Sequence, residues 1–335
     1  MKKDVIKIKK WQLLRRRSRE ELADLSTADF VAVGKRAFHG QKRLEEVILP
    51  PAASAIKTEA FRGCKRLKKV VLPCNSNVGL ANGAFWGCTR LQTVENTALI
   101  SSVGVRTFAD CRMLREVAFG RELRKIGDEA FRGCRSLRTL FLPSCLTTVG
   151  KAAFGDCTEL ERVDMEDALS ATAPELFRGC ISLSEVTFAT GWREIPKGTF
   201  RDCSALTEMT VPMQIQKIGR RAFFGCARLT AVTLENGVTH IGAKAFAKTP
   251  RLKEVVVSNS LKRLGSGAFG LGFSKEKITV CVENEYMLRR LKRLLFLCGS
   301  SGRVRVEQIG KTLEERKRER RRTTVEQTPV HLIDE

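Results

Sequence analysis

Phe38, Phe61, Phe85, Phe108, Phe131, Phe154, Phe177, Phe200, Phe223, Phe246 and Phe269 are spaced by 23 residues nine times and by 24 residues once, between Phe61 and Phe85. A period held over eleven anchors means a stack of identical units, because internal repeats of 20–50 residues are the mark of solenoids and propellers.

Other columns follow the same period. Cys stands three residues after Phe at 64, 88, 111, 134, 157, 180, 203 and 226, and Leu stands six after from Leu44 to Leu252. Nine after comes an apolar residue in every unit, mostly Val, and eleven after is mostly apolar as well. Val33, Ile56, Val103, Ile126, Val149, Ile195, Ile218 and Ile241 lie five before Phe, often followed by Gly. The Val-x-Leu alternation has the period of two that marks a strand, ended by Pro50, Pro73, Pro143 and Pro212. The Gly-x-x-Ala-Phe stretch reads as a turn or a short helix.

A 23-residue unit cannot bury its own apolar face, whereas stacked units can. The expected fold is an α/β repeat solenoid, one domain of about eleven coils, with strand on one face and short helix or turn on the other. At about 4.8 Å per coil the stack spans about 50 Å. The 335 residues, which by length alone suggest two or three domains, are therefore read as one core.

The unit Ile-Gly-x-x-Ala-Phe-x-Gly-Cys-x-x-Leu-x-x-Val-x-Leu-Pro resembles the BspA-type leucine-rich repeat over about residues 31–283. The resemblance implies the solenoid fold. It implies function only as a class, since family members include bacterial and protist surface proteins that bind host matrix or other cells, and many members have no assigned role.

The ends depart from the pattern, as capping units do. Gln41, Thr249 and Gly272 replace the column Cys. In the middle, Ala168–Pro174 lacks the Ile-Gly pair and predicts a local distortion, and the extra residue near Asn75–Leu80 predicts a bulge. The chain divides into a basic N-terminal cap (1–30), the solenoid (31–283), a strand–helix–strand cap (284–310) and a charged, flexible tail (311–335); after the last repeat, Ile278–Val282 reads as a strand, Tyr286–Leu297 as an amphipathic helix and Arg303–Ile309 as a strand. Residues 311–322 form a charged run, within which Arg316–Arg322 reads as a solvated helix end, a nuclear localisation signal or a nucleic-acid contact.

With 43% hydrophobic and 29% charged residues the chain is neither collagenous nor disordered. No uncharged apolar run reaches the roughly 18 residues of a membrane span. The basic start has no apolar h-region of a secretory signal. The expected location is intracellular, cytoplasmic or nuclear, with mitochondrial import an alternative and a surface adhesin a third reading.

The residue types argue against catalysis. His39, His240 and His331 are the only histidines, and the first two fall in units nine apart. No phosphate loop, H-E-x-x-H or nucleophile elbow is present, and no C-x-x-C pair offers a zinc site. The sequence predicts no enzyme activity, no cofactor and no metal. The eight column cysteines are expected as buried free thiols filling a narrow interior. Cys74, Cys145, Cys281 and Cys298 are off register.

Charge is the remaining signal. Lys and Arg number 60 against 37 Asp and Glu, a net charge of +23. Two surfaces follow from the register. The strand's outward row carries Glu46, Lys69, Glu116, Thr139, Arg162, Glu185, Glu208 and Glu254, an acidic face suited to a protein partner. One to five residues after Phe, bases outnumber acids fourteen to four. There Arg62, Lys65, Arg66, Arg90, Arg112, Arg132, Arg135, Arg178, Arg201, Arg228 and Arg251 form a candidate polyanion-binding strip, with only Trp86 and Phe224 as rings one after Phe. The leading expectation is a non-enzymatic protein-binding scaffold, and the alternative is a basic component of a ribonucleoprotein or other nucleic-acid assembly. The sequence leaves the partner's identity and the oligomeric state open.

Overall fold

The computed structural model describes residues 22–24, 32–51, 53–74, 77–166, 171–257, 259–270, 278–282, 284–297 and 304–308. Most of segment 1–30, the tail 311–335 and Cys298 lie outside these residues. The chain is a β-solenoid of about eleven coils, in which strands pair in parallel with the next coil.

Each regular coil contributes a longer strand and a two- to four-residue short strand. The longer strands form three consecutive sheets along one face. The first joins Leu22–Asp24, Glu46–Ile48, Lys69–Val71 and Thr93–Glu95. The second joins Thr139–Leu142, Arg162–Met165 and Glu185–Thr187. The third joins Glu208–Val211, Ala231–Leu234, Glu254–Val257, Ile278–Val282 and Val304–Gln308. The fourth coil, around Glu116, has no strand at this position.

The short strands form a second face, seven strands from Ala32–Val33 to Ala171–Thr172 and four from Glu194–Ile195 to Arg263–Leu264. They are the column five residues before Phe. The register shifts between Val78 and Gly79, beside the extra residue.

Between the two faces the chain turns, and the turn has its own ladder. Phe38 N–H donates to the Ala60 carbonyl and Phe61 N–H to the Ala84 carbonyl, and this continues to Phe246 on Ala268. The residues two before and two after Phe also donate to the next coil, while those between them donate three residues back within their own coil. Every second N–H thus bonds between coils, so the turn needs no helix. Among the described residues, the one two after Phe takes a left-handed backbone and is Gly in six coils (Gly63 at φ 72°) and Asp in three (Asp156 at φ 58°), the types that tolerate it, with Lys248 (φ 57°) the exception.

The Gly four residues before Phe has another role. Its N–H extends the short ladder, as Gly150 does to the Ile126 carbonyl at 2.9 Å. The coils pass so close there that a Cβ on Gly150 would lie 2.4 Å from the Asp128 nitrogen. In the eighth coil this column holds Pro196, which has no N–H to give. There the short sheet ends, and the longer sheet also breaks between Glu185–Thr187 and Glu208–Val211. The distortion expected at Ala168–Pro174 is a different matter: Ala171–Thr172 pairs in register with Thr148–Val149, and residues 167–170 lie outside the described set.

The core is a set of stacked columns. The eleven Phe rings are buried and make ten successive stacks, with centroids 4.9–6.0 Å apart and interplanar angles of 3–21°. Burying a Phe side chain contributes about 1.5–3 kcal/mol, and an aromatic pair adds about 0.5–1.5 kcal/mol. Trp192 is buried where other coils carry Ile215, Val238 or Leu261, and its indole N–H has no partner. At the C-terminal end the α-helix Glu285–Leu297 lays Met287, Leu291 and Leu295 on the core, and Val304–Gln308 closes the sheet.

Candidate functional site

The longer-strand face presents a grid of outward side chains at strand pitch. In register run Glu46, Lys69 and Thr93, then Thr139, Arg162 and Glu185, then Glu208, Ala231, Glu254 and Thr279. Glu116 is exposed but sits where the sheet is interrupted, so it is not in line with the rest by strand pairing. Ion pairs cross this face from Lys69 to Glu95 at 2.7 Å, and from Arg162 to both Asp164 and Glu185 at 3.7 Å.

Two features of the grid escape a reading by charge. In the middle sheet Phe141 points outward and is 44% exposed, opposite Asp164 and two residues from Thr139. Its signal was its place ten residues after Phe131, on the outward phase of the alternation. In the third sheet Ala231 (7%), Thr233 (7%), Val256 (2%) and Cys281 (3%) point outward yet are buried.

The basic strip lies along the turn. Its first column is largely ion-paired. Glu59 bridges Arg36 and Arg62, the latter at 2.6 Å. Glu129 bridges Arg106 at 2.9 Å and Arg132 at 3.4 Å, and Arg132 also reaches Asp156 at 3.2 Å. Arg178 pairs with Glu175 and Arg201 with Asp202. The bridging acids Glu59, Glu129 and Glu175 stand two residues before Phe, outside the window of one to five after it. The Arg36 guanidinium, aided by Arg62, holds the Glu59 carboxyl below its ordinary value of 4.5, and Arg106 with Arg132 does the same for Glu129.

The two ring side chains of this column sit under cations. Arg62 stands 3.9 Å over the Trp86 ring, with Arg106 at 5.6 Å. Arg201, Arg221 and Lys248 surround Phe224 at 5.4–5.6 Å. The other strip residues, Lys65, Arg66, Arg90, Arg112, Arg135, Arg228 and Arg251, are exposed and make no ion pair among the described residues.

The cysteine column is interior. Each thiol from Cys64 to Cys226 donates to the carbonyl of the Phe one coil back, at 3.0–3.3 Å. That carbonyl also accepts the N–H of its own coil's Cys, as Phe61 does from Cys64, so both lone pairs are used. Burial pushes the thiols of Cys88, Cys111, Cys134, Cys180, Cys203 and Cys226 well up, whereas a hydrogen bond with Cys88 draws Cys64 down. No disulfide joins two of the described cysteines. His39 is exposed, and His240 shares a 2.8 Å hydrogen bond with Thr239 while burial and the cations Arg263, Lys217 and Lys262 lower its pKa. No cluster of three metal-binding side chains occurs, and no helix is long and apolar enough to cross a membrane, among the described residues.

Solved structures share this architecture. A leucine-rich repeat protein from Bacteroides ovatus superposes with a TM-score of 0.58 at 21% identity, over 84% of this chain and 88% of that one. The pneumococcal vaccine antigen PcpA superposes with a TM-score of 0.53 at 16% identity, over 86% of this chain and 79% of that one. At these identities the likeness is one of fold. No curated protein sequence matches the chain significantly. The BspA-type leucine-rich repeat region matches in six copies, over residues 31–161, 78–207 and 147–277, which together take in well over half of the sequence. The chain therefore belongs to the BspA-type leucine-rich repeat family.

Proposed function

We infer that this protein is a non-enzymatic binding scaffold whose longer-strand face holds a protein partner. The observation that carries this reading is the middle sheet, where exposed Phe141 is flanked by Thr139, Arg162, Asp164 and Glu185 on three paired strands. An aromatic anchor beside an Arg within a polar rim is the composition of an interface hot spot. A rigid parallel grid holds these groups in place, so little ordering cost falls on binding. The family and the two neighbours fit a repeat scaffold or an adhesin-like protein, and the surface serves either.

A second reading rests on the unpaired bases of the turn. Lys65, Arg66, Arg90, Arg112 and Arg135 lie on one edge in four successive coils, and Arg228 and Arg251 in two more after a gap of three coils, an arrangement that suits a phosphate backbone. The ion pairs at Arg62, Arg132, Arg178 and Arg201 weaken it, because a polyanion would have to displace Glu59, Glu129, Glu175, Asp156 and Asp202.

The test is a pull-down with the full chain at physiological salt, divided into nuclease-treated and untreated halves. Protein partners recovered equally from both support the scaffold. Partners lost on nuclease treatment overturn it in favour of the basic edge.

A further inference from the structure

In the column two residues before Phe, three pairs of neighbouring coils share one backbone geometry: Arg36 with Glu59, Arg106 with Glu129, and Arg221 with Lys244, all left-handed at φ 53–56°. Members of a pair are 23 residues apart, so the second stands beside the first on the next coil. In the first two pairs the Arg Nε–H donates across the gap to a carboxylate, Arg36 to Glu59 and Arg106 to Glu129 at 2.9 Å. In the third pair a base follows a base. Arg221 Nε is buried and has no hydrogen-bond partner, an arrangement that costs the full desolvation of a donor. More cations gather at this point. Arg201, Arg221 and Lys248 stand 5.4–5.6 Å from the centre of the Phe224 ring. Arg201 holds Asp202 at 3.1 Å, whereas Arg221 and Lys248 make no ion pair among the described residues. The turn stretches 219–228 and 242–251 contain no Asp or Glu.

We propose that the niche between Arg201, Arg221 and Lys248, beside the Phe224 ring, takes a carboxylate from an acidic peptide segment of a protein partner. The chain itself shows the chemistry of the ligand: in the second and fifth coils the group that satisfies the same Arg nitrogen is a Glu side chain. Lys244 stands where that Glu would be, so the ninth coil keeps the guanidinium and lacks its acid. Arg offers a carboxylate N–H donors in a fixed fork, and the exposed Lys248 adds an ammonium on a flexible stem. The face of the Phe224 ring gathers the cations by cation–π attraction. The niche is confined to the eighth to tenth coils, which fits a single side-chain group rather than the long track of phosphates that a nucleic acid presents. The inference concerns the turn ridge and stands whether or not the longer-strand face holds a partner.

Fluorescence anisotropy with the full chain tests it, with labelled hexaglutamate as the probe and labelled oligouridine as the nucleic-acid comparison. Arg221→Gln with Lys248→Gln removes two charges from the niche, and Arg90→Gln with Arg135→Gln removes two from the unpaired edge. The expected result is that hexaglutamate binds the native chain, that the niche variant binds it about tenfold more weakly or worse, and that the edge variant stays within about twofold of native. No binding by the native chain overturns the proposal, and so does an equal loss in both variants, which would reflect net charge alone. Oligouridine held more tightly than hexaglutamate, and released by the niche variant, overturns it in favour of a nucleic acid. Should the niche variant fail to fold, Lys244→Glu decides. It rebuilds the Arg–Glu pair of the second and fifth coils, so its melting temperature should not fall below native while hexaglutamate binding drops about tenfold. Native-like binding by Lys244→Glu overturns the proposal.

Discussion

The Cys134 thiol donates a hydrogen bond to the main-chain carbonyl of Phe108, one coil back, at 3.2 Å. The side chain thus joins two coils while filling a position with no exposed surface. Cys134→Ala removes the bond and leaves a small void. The expected loss is about 1–2 kcal/mol, read as a lower urea midpoint with an unchanged slope. The thiols of Cys88, Cys111, Cys134, Cys180, Cys203 and Cys226 should stay unreactive to maleimide until the solenoid opens, since burial disfavours the thiolate.

The Phe column is the larger contribution. Phe154 stacks on Phe131 at 5.2 Å and on Phe177 at 6.0 Å. Phe154→Ala should cost about 3–5 kcal/mol, measured by chemical denaturation. In a solenoid the damage falls on the mutated coil and its neighbours, so hydrogen exchange should rise first around residues 131–177 and spread outward.

Gly150 and Gly34 occupy the same column with opposite consequences. A Cβ on Gly150 would meet the Asp128 nitrogen at 2.4 Å, whereas one on Gly34, in the first full coil, would meet nothing within 4 Å. Gly150→Ala should lower the melting temperature by several degrees, in line with about 1–3 kcal/mol of overpacking. Gly34→Ala should be neutral. Equal effects would mean that coil-to-coil approach does not select glycine here.

Acid should loosen the ridge. Glu59 and Glu129 have folded pKa values below their ordinary 4.5, so the folded state binds fewer protons than the unfolded chain in that range. Their contribution is full above about pH 4.5 and is lost as the pH falls through the folded values. Each half-exposed bridge is worth about 0.5–1 kcal/mol. Between pH 6 and pH 3 the Glu59→Gln, Glu129→Gln double variant should lose less melting temperature than the native chain.

The coil number and the Phe, Cys and Leu columns were legible because each is a single residue type repeated at one period. The short-strand face was not, because two residues such as Lys125–Ile126 are too few to show alternation. The neutralised ridge was hidden for another reason. Arg106 meets Glu129 from the neighbouring coil, 23 residues away, so the pair emerges only when the column two before Phe is laid beside its neighbours. The burial of the outward residues Val256 and Cys281 left no trace in local sequence, since burial of an outward residue depends on its three-dimensional surroundings.

The direct test of the scaffold reading compares two full-length variants in one pull-down. Phe141→Ala with Arg162→Glu alters the middle sheet, and Arg90→Glu with Arg135→Glu and Arg228→Glu alters the basic edge. These substitutions lie on exposed positions and should each change stability by no more than about 0.5 kcal/mol, apart from the lost Arg162 ion pairs. The account predicts that the sheet variant releases the protein partners and the edge variant keeps them. Partners kept by the sheet variant and released by the edge variant would contradict it.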